Sequence, residues 1–193
     1  PQRNNRYRGS RLPSSAFMSP LPLCDNPHGM PSPLPIDSVL PDVVQKLKTY
    51  GAVVLKAEPG AGKTTRVPPA ILDAGLADNG QIIVLQPRRI AARAAATRIS
   101  EERGTALGGE VGYQVRHEKR ESAQTKILVC TEGIFLRKLQ EDPLLEGTAV
   151  VIFDEFHERN LDGDLALAMV RQVRAQVRED LRIVVMSATL DSK

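Results

Sequence analysis

The chain has no tryptophan, only 4% aromatic residues, and just two cysteines in 193 residues. Cys24 and Cys130 are too far apart for the ligand spacing of a structural zinc site, so no zinc is expected. Sparse, unpatterned cysteine argues against a disulfide-stapled secreted module. It fits free thiols in a reducing compartment, which points to the cytoplasm. No apolar run reaches the ~20 residues that cross a bilayer, so no membrane span is expected. The first residues also lack the apolar core of a signal peptide, and no internal repeat is present.

An excess of basic charge is missing as well, although the net charge is +3 and the sequence pI about 9.0. Residues 1–35 hold Arg3, Arg6, Arg8 and Arg11 against Asp25, which accounts for the whole surplus. The remainder is neutral, so bulk charge says nothing about nucleic acid, and any such claim must rest on local clusters. Eight of the 14 prolines fall in the same 35 residues. A Pro-rich polar stretch of this kind buries too little apolar surface to offset its ordering entropy, so residues 1–33 are expected to form a disordered leader. Met18 and Met30 both offer natural starts, so part of the leader need not be native.

From about Leu34 the pattern changes to one domain that alternates strand and helix. Val43, Val44 and Leu47 after Pro41 give a short amphipathic helix from Asp42 to Tyr50. Five apolar runs then read as strands: Ala52–Ala57, Gln81–Gln86, Lys126–Cys130, Ala149–Phe153 and Arg182–Met186. Helices are expected between them, from Lys63 to about Asp73, Arg89 to Arg103, Glu132 to Gln140, and Leu161 to Val177. Apolar strands interleaved with helices predict an α/β fold, a doubly wound, mostly parallel sheet with helices on both faces. Such folds bind ligands at the carboxyl ends of the strands.

Every chemical motif in the chain sits at such an end. Ala57-Glu58-Pro59-Gly60-Ala61-Gly62-Lys63-Thr64 follows a strand and opens a helix, as a phosphate-binding loop does. Gly60 and Gly62 let successive backbone N–H groups turn inward, and the helix start adds partial positive charge. Pro59, Gly60, Ala61, Gly62, Lys63, Thr64 and Thr65 are therefore the expected ATP-binding stretch. Lys63 would sit near the outer phosphates, and the Thr64 hydroxyl would be an Mg²⁺ ligand. The strict loop pattern has Gly where this chain has Ala57.

Val150 to His157 places Asp154 and Glu155 just past an apolar strand. Asp154 is expected to hold Mg²⁺ through water, and Glu155 to orient and deprotonate an attacking water. His157 has no second His or Cys nearby, which disfavours a metal ligand and leaves a hydrogen-bonded coupling role at the catalytic centre.

Asp154-Glu155-Phe156-His157 downstream of such a loop, with Ser187-Ala188-Thr189 after the last strand, resembles the DExH/DEAH branch of superfamily 2 helicases. Gln86-Pro87-Arg88-Arg89-Ile90-Ala91-Ala92, Val111-Gly112-Tyr113-Gln114-Val115-Arg116 and Thr131-Glu132-Gly133 look like further motifs of that branch, in the same order. Leu34-Pro35-Ile36 and Glu158-Arg159-Asn160-Leu161-Asp162 resemble the bacterial HrpB-type ATP-dependent helicases within it. The resemblance covers Leu34 to Lys193 and no part of the leader. It implies a RecA-like P-loop NTPase domain, the first of two, that binds ATP and Mg²⁺ and drives movement along nucleic acid, RNA rather than DNA.

By the same resemblance, Arg98 stacks on adenine, and Arg88, Arg89 and Thr131 touch the nucleic-acid backbone. Ser187, Ala188 and Thr189 link nucleotide state to strand binding. A solvated helix arginine is the plain alternative for Arg98, and a solvated loop for the Arg116–Arg120 run. The resemblance also implies that arginine fingers come from a second RecA-like domain in cis, which is expected to be missing from these residues. An adaptor without catalysis and a different phosphate-loop enzyme, such as a small-molecule kinase, are the competing classes. The kinase reading leaves Ser187-Ala188-Thr189 unexplained.

If the leader does not pack on the domain, deleting residues 1–29 leaves the melting temperature nearly unchanged. A large drop would show that it does pack.

Overall fold

The computed structural model describes residues 33–189; the expected leader, apart from its last residue, lies outside them. A short 3-10 helix, Pro35–Val39, leads into α1 (Leu40–Tyr50). Then come β1 (Ala52–Lys56), α2 (Lys63–Asp73), β2 (Gln81–Gln86), α3 (Arg89–Glu102), β3 (Val111–Val115), β4 (Glu118–Arg120), β5 (Ile127–Thr131), α4 (Glu132–Glu141), β6 (Thr148–Phe153), α5 (Leu161–Gln176) and β7 (Arg182–Ser187). A second 3-10 turn, Phe156–Glu158, follows β6.

The seven strands form one sheet in the order β1-β7-β6-β2-β5-β3-β4. All neighbours run parallel except β3 and β4. Helices α1, α2 and α3 cover one face through Val43, Leu47, Val67, Ile71, Ala92, Ala96 and Ile99. Helices α4 and α5 cover the other through Phe135, Leu139, Ala166 and Val170. The chain therefore builds outward on one face and returns on the other, which is the doubly wound arrangement expected from the strand and helix alternation. The central strand β6 is buried at every residue, so its apolar run Thr148–Phe153 faces helices on both sides.

Two features depart from the expected elements. β1 is less buried than its AVVLK composition implies: it is an edge strand, and Val54 is 60% exposed. The Arg116–Arg120 run is not a solvated loop. His117, with a left-handed φ of 66°, turns the chain, and Glu118–Arg120 pairs antiparallel with β3 as the far edge of the sheet. The Tyr113 hydroxyl and the Arg93 guanidinium both donate to Glu118, tying this hairpin to α3. Helix α2 persists through Pro68 and Pro69. Neither can donate a backbone N–H, but Val67 and Ile71 are fully buried, and tertiary packing outweighs the lost bonds.

The hairpin leaves no room for a side chain at Gly112. A Cβ there would lie 2.5 Å from the Arg120 carbonyl oxygen, a backbone atom that cannot swing aside. Gly112→Ala is expected to destabilise the domain by about 1–3 kcal/mol, the usual range for overpacking. Urea unfolding measures this, and an unchanged midpoint would refute it.

Candidate functional site

Because the strands are parallel, the segments that follow β1, β2, β5, β6 and β7 all emerge on one edge of the sheet. The loop after β1 is the phosphate loop. Gly60 and Gly62 adopt left-handed φ values of 79° and 92°, and Gly62 caps the start of α2. A side chain at Gly62 would be strained by that φ and would push the Leu34 side chain aside, since a Cβ there would lie 2.5 Å from Leu34 Cδ1. The Ile36 N–H donates to the Ala61 carbonyl at 3.1 Å, so the Leu34–Ile36 segment braces the loop from outside. Lys63 is only 4% exposed, and its Nζ donates to the carbonyls of Ala57 (2.6 Å) and Glu58 (3.0 Å) inside the loop. The Thr65 hydroxyl donates to the Gly62 carbonyl at 3.4 Å.

The acidic pair lies opposite. Asp154 is 2% exposed, and three donors hold its carboxylate. Oδ2 accepts from the Thr64 hydroxyl at 2.5 Å and from Gln86 Nε2 at 2.5 Å, while Oδ1 accepts from the Glu155 N–H at 2.9 Å. Burial pushes the Asp154 carboxyl up to about 6, partly countered by these donors. Glu155 takes a left-handed backbone, φ 51° and ψ 33°, which a non-glycine residue adopts at a cost. That conformation turns the chain out of β6 and leaves the Glu155 side chain half-buried.

The donor set fits a hydrated Mg²⁺. Thr64 gives its proton to Asp154, so its oxygen lone pairs remain for a cation, and a divalent charge would offset the burial of Asp154. No cluster of three or more His, Cys, Asp or Glu side chains able to hold a metal occurs among the described residues.

His157 sits between the acidic pair and the end of β7. Its Nδ1 accepts from the Ala188 N–H at 3.3 Å and lies 3.4 Å from Glu155 Oε2. One nitrogen cannot serve both at once: the first contact needs its lone pair, the second needs a proton on it. The Ser187 carbonyl accepts from the Ala57 N–H at 3.2 Å, which joins the last strand to the root of the phosphate loop. The Ser187 hydroxyl donates to the Thr189 carbonyl.

Beyond the nucleotide loop, Gln86 and Thr131 are register partners on β2 and β5, so the segments they lead into are neighbours. Arg88 pairs with Glu158 at 3.1 Å, and Arg89 Nη2 donates to the Arg116 carbonyl at 2.9 Å. Thr131 caps α4 without a side-chain hydrogen bond to the helix, leaving its hydroxyl at a helix start suited to an anion. Arg98 is mostly exposed and pairs with Glu102 at 2.9 Å. Glu102 in turn lines a cavity of about 370 Å³ with Thr65 and Arg66, beside the phosphate-loop helix. The structure thus gathers Lys63, Thr64, Asp154, Glu155, His157 and Ser187–Thr189 into one site. Arg88, Arg89 and Thr131 lie along the adjoining edge, and Arg98 is paired with Glu102, which lines the cavity.

Sequence reasoning gave no role to Gln86. Gln86 stands in the Gln86–Ala92 motif, and only the fold shows its amide against Asp154. A polar residue closing the otherwise apolar run IIVL was the one signal available.

Comparison with known proteins agrees with this geometry. Residues 39–193 match the DEAD/DEAH box helicase family. The chain is 45% identical over 161 residues to the ATP-dependent RNA helicase HrpB of Escherichia coli (strain K12), covering 83% of this chain and 20% of that protein. It is 40% identical over 166 residues to an ATP-dependent RNA helicase HrpA homolog of Haemophilus influenzae, covering 86% and 13%. A crystal structure of the Escherichia coli DEAH/RHA helicase HrpB superposes with a TM-score of 0.78 at 44% identity, over 82% of this chain and 20% of that one. The chain therefore spans about a fifth of the length of its HrpB relatives. No helix among the described residues is long and apolar enough to cross a membrane.

Asp154 yields a stability test. Its carboxyl titrates near 6 in the folded chain against an ordinary 3.8. Folding therefore carries a cost that is absent below about pH 4, where both states are protonated, and grows until about pH 6. At ~1.36 kcal/mol per pKa unit, the plateau is about 3 kcal/mol at most. In metal-free buffer, Asp154→Asn should raise stability above pH 6 and leave it unchanged below pH 4. Parallel pH-dependence curves for the two proteins would refute this.

Proposed function

The chain belongs to the DEAD/DEAH box helicase family, and from that premise we propose that it is the ATP-binding, RecA-like motor domain of an ATP-dependent RNA helicase. One observation carries the reading. The Thr64 hydroxyl, at the start of the phosphate-loop helix, donates directly to the Asp154 carboxylate at the end of β6. The contact joins the phosphate-loop helix to the acidic strand end through one hydrogen bond, which supports a nucleoside-triphosphate site there.

In this reading a nucleotide's outer phosphate replaces the Ala57 and Glu58 carbonyls as acceptor for Lys63. The N–H groups of Gly60 to Thr65 line the phosphates, and Arg98 covers the base beside the cavity lined by Thr65 and Glu102. Bound Mg²⁺ would neutralise phosphate charge, with Thr64 and Asp154 holding it, Asp154 through water. Glu155 orients the attacking water and takes its proton. His157 passes the state of the acidic pair to Ala188, and so to Ser187 and Thr189. Arg88, Arg89 and Thr131 hold phosphate oxygens of the strand, contacts that carry no base sequence.

The relatives are several times longer than the matched stretch. We assign completion of the transition state to a second RecA-like domain that supplies arginines, a contribution of about 10³–10⁵ in rate. The buried free thiol of Cys130, pushed up to about 12 by burial, is inert and suits a reducing cytoplasm.

Lys63→Ala should weaken ADP binding strongly in calorimetry, and an unchanged affinity would overturn the nucleotide reading. Glu155→Gln should leave ATP affinity nearly unchanged and barely alter the low hydrolysis of this chain alone. In a polypeptide extended through the second domain it should abolish RNA-stimulated phosphate release. Brisk hydrolysis by the chain alone, stopped by Glu155→Gln, would instead place the whole catalytic site within these residues.

A further inference from the structure

We propose that Gln86 is a positioning residue that holds the Mg²⁺-facing carboxylate of Asp154 and ties its placement to nucleic acid bound at Arg88 and Arg89. The inference rests on the helicase reading above and adds a link which that reading does not contain.

Three observations carry it. Gln86 is 2% exposed, and its amide reaches Asp154 Oδ2 at 2.5 Å, from a strand that in sequence precedes the acidic segment by more than sixty residues. The Thr64 hydroxyl donates to the same oxygen. Two donors on Oδ2 engage both of its lone pairs, so the outward-facing capacity of the carboxylate falls to Oδ1, which takes only the Glu155 N–H. Gln86 and Thr64 together therefore choose which oxygen faces a hydrated cation. They also keep Oδ1 where it supports the left-handed backbone of Glu155.

The third observation is where Gln86 lies along the chain. It is the last residue of β2, and Pro87 alone separates it from Arg88 and Arg89. Proline fixes its own φ and restricts the residue before it, so the step from Gln86 to the arginines is stiff. A phosphate contact that pulls on Arg88 or Arg89 acts on Gln86 across two or three peptide units. The backbone of β2 pairs with β5 through Gln86 but with β6 only as far as Leu85, so the Gln86 end is held in the sheet on one side. This path differs from the one through His157 and Ala188, because it starts at the nucleic-acid edge and ends on Asp154.

The test measures binding of a fluorescent ADP to the full chain while Mg²⁺ is titrated, with and without a uridine oligonucleotide. The unaltered protein should require a different Mg²⁺ concentration for half-maximal binding when the oligonucleotide is present. Gln86→Met, which keeps the volume and removes the donor, should raise the half-maximal Mg²⁺ concentration roughly tenfold, the worth of one hydrogen bond to a charged group. It should leave Mg²⁺-free ADP affinity unchanged and abolish the response to the oligonucleotide. Gln86→Leu, which also removes the donor, should behave the same way, and melting temperatures identify a variant that has lost its fold.

A Gln86→Met protein that is folded and keeps an unaltered or tighter Mg²⁺ requirement would overturn the positioning role. An unaltered protein whose Mg²⁺ requirement ignores the bound oligonucleotide would overturn the link to nucleic acid. Failure of the unaltered chain to bind ADP and Mg²⁺ at all would instead overturn the proposed function itself.

Discussion

A carboxylate withdrawn from water at the end of a fully buried strand is the constraint around which this domain is arranged. Burying an ionised group is costly unless it is hydrogen-bonded. Asp154 meets that cost with donors from Thr64, Gln86 and the backbone of Glu155. These come from segments after β1, within β2 and after β6, which only a parallel sheet brings to a common edge. The raised titration of Asp154 shows that the compensation is incomplete. The same burial that costs stability leaves Asp154 a carboxylate whose charge a cation would offset.

The contacts leading away from Asp154 are short and few. On one side, Glu155 lies against His157, whose Nδ1 is shared with the Ala188 N–H at the end of β7. That nitrogen serves one partner at a time, so the arrangement has two alternatives rather than a continuum, as a switching contact requires. The Ser187 carbonyl then returns the connection to Ala57 at the foot of the phosphate loop. The acidic pair, the end of β7 and the loop are thus linked by short contacts, with His157 Nδ1 as the link that chooses between two partners. Arg88 and Glu158 join those contacts to the outer edge through an exposed ion pair, where salt screening keeps the attraction weak.

Much of this was legible in the amino-acid order because the signals were local. Strands such as QIIVLQ and AVVIF are apolar on both faces and sit between helical periods, and a parallel sheet is the arrangement that satisfies them. The phosphate loop and the acidic pair are contiguous, so their chemistry can be read without a fold. The β3–β4 hairpin was not legible, because Glu118-Lys119-Arg120 carries no apolar alternation. It is held by pairing with β3 and by the bonds of Tyr113 and Arg93 to Glu118. Gln86 was invisible for the opposite reason: it stands inside a recognised motif, yet its partner is distant in sequence. The exposure of β1 likewise depends on strand order, which composition does not encode.

That strand order also governs when the domain can become competent during its own synthesis. β1 is made first, but its single neighbour in the sheet is β7, the last strand, so Ala52 waits for Ile183. The strands between can pair as they leave the ribosome, while the loop that begins at Ala57 stays without its anchor at Ser187. Closing so long a stretch of chain is slow relative to local pairing. Anchoring of the phosphate loop at Ser187 thereby becomes the closing event of folding among the described strands, so this edge of the sheet is completed last.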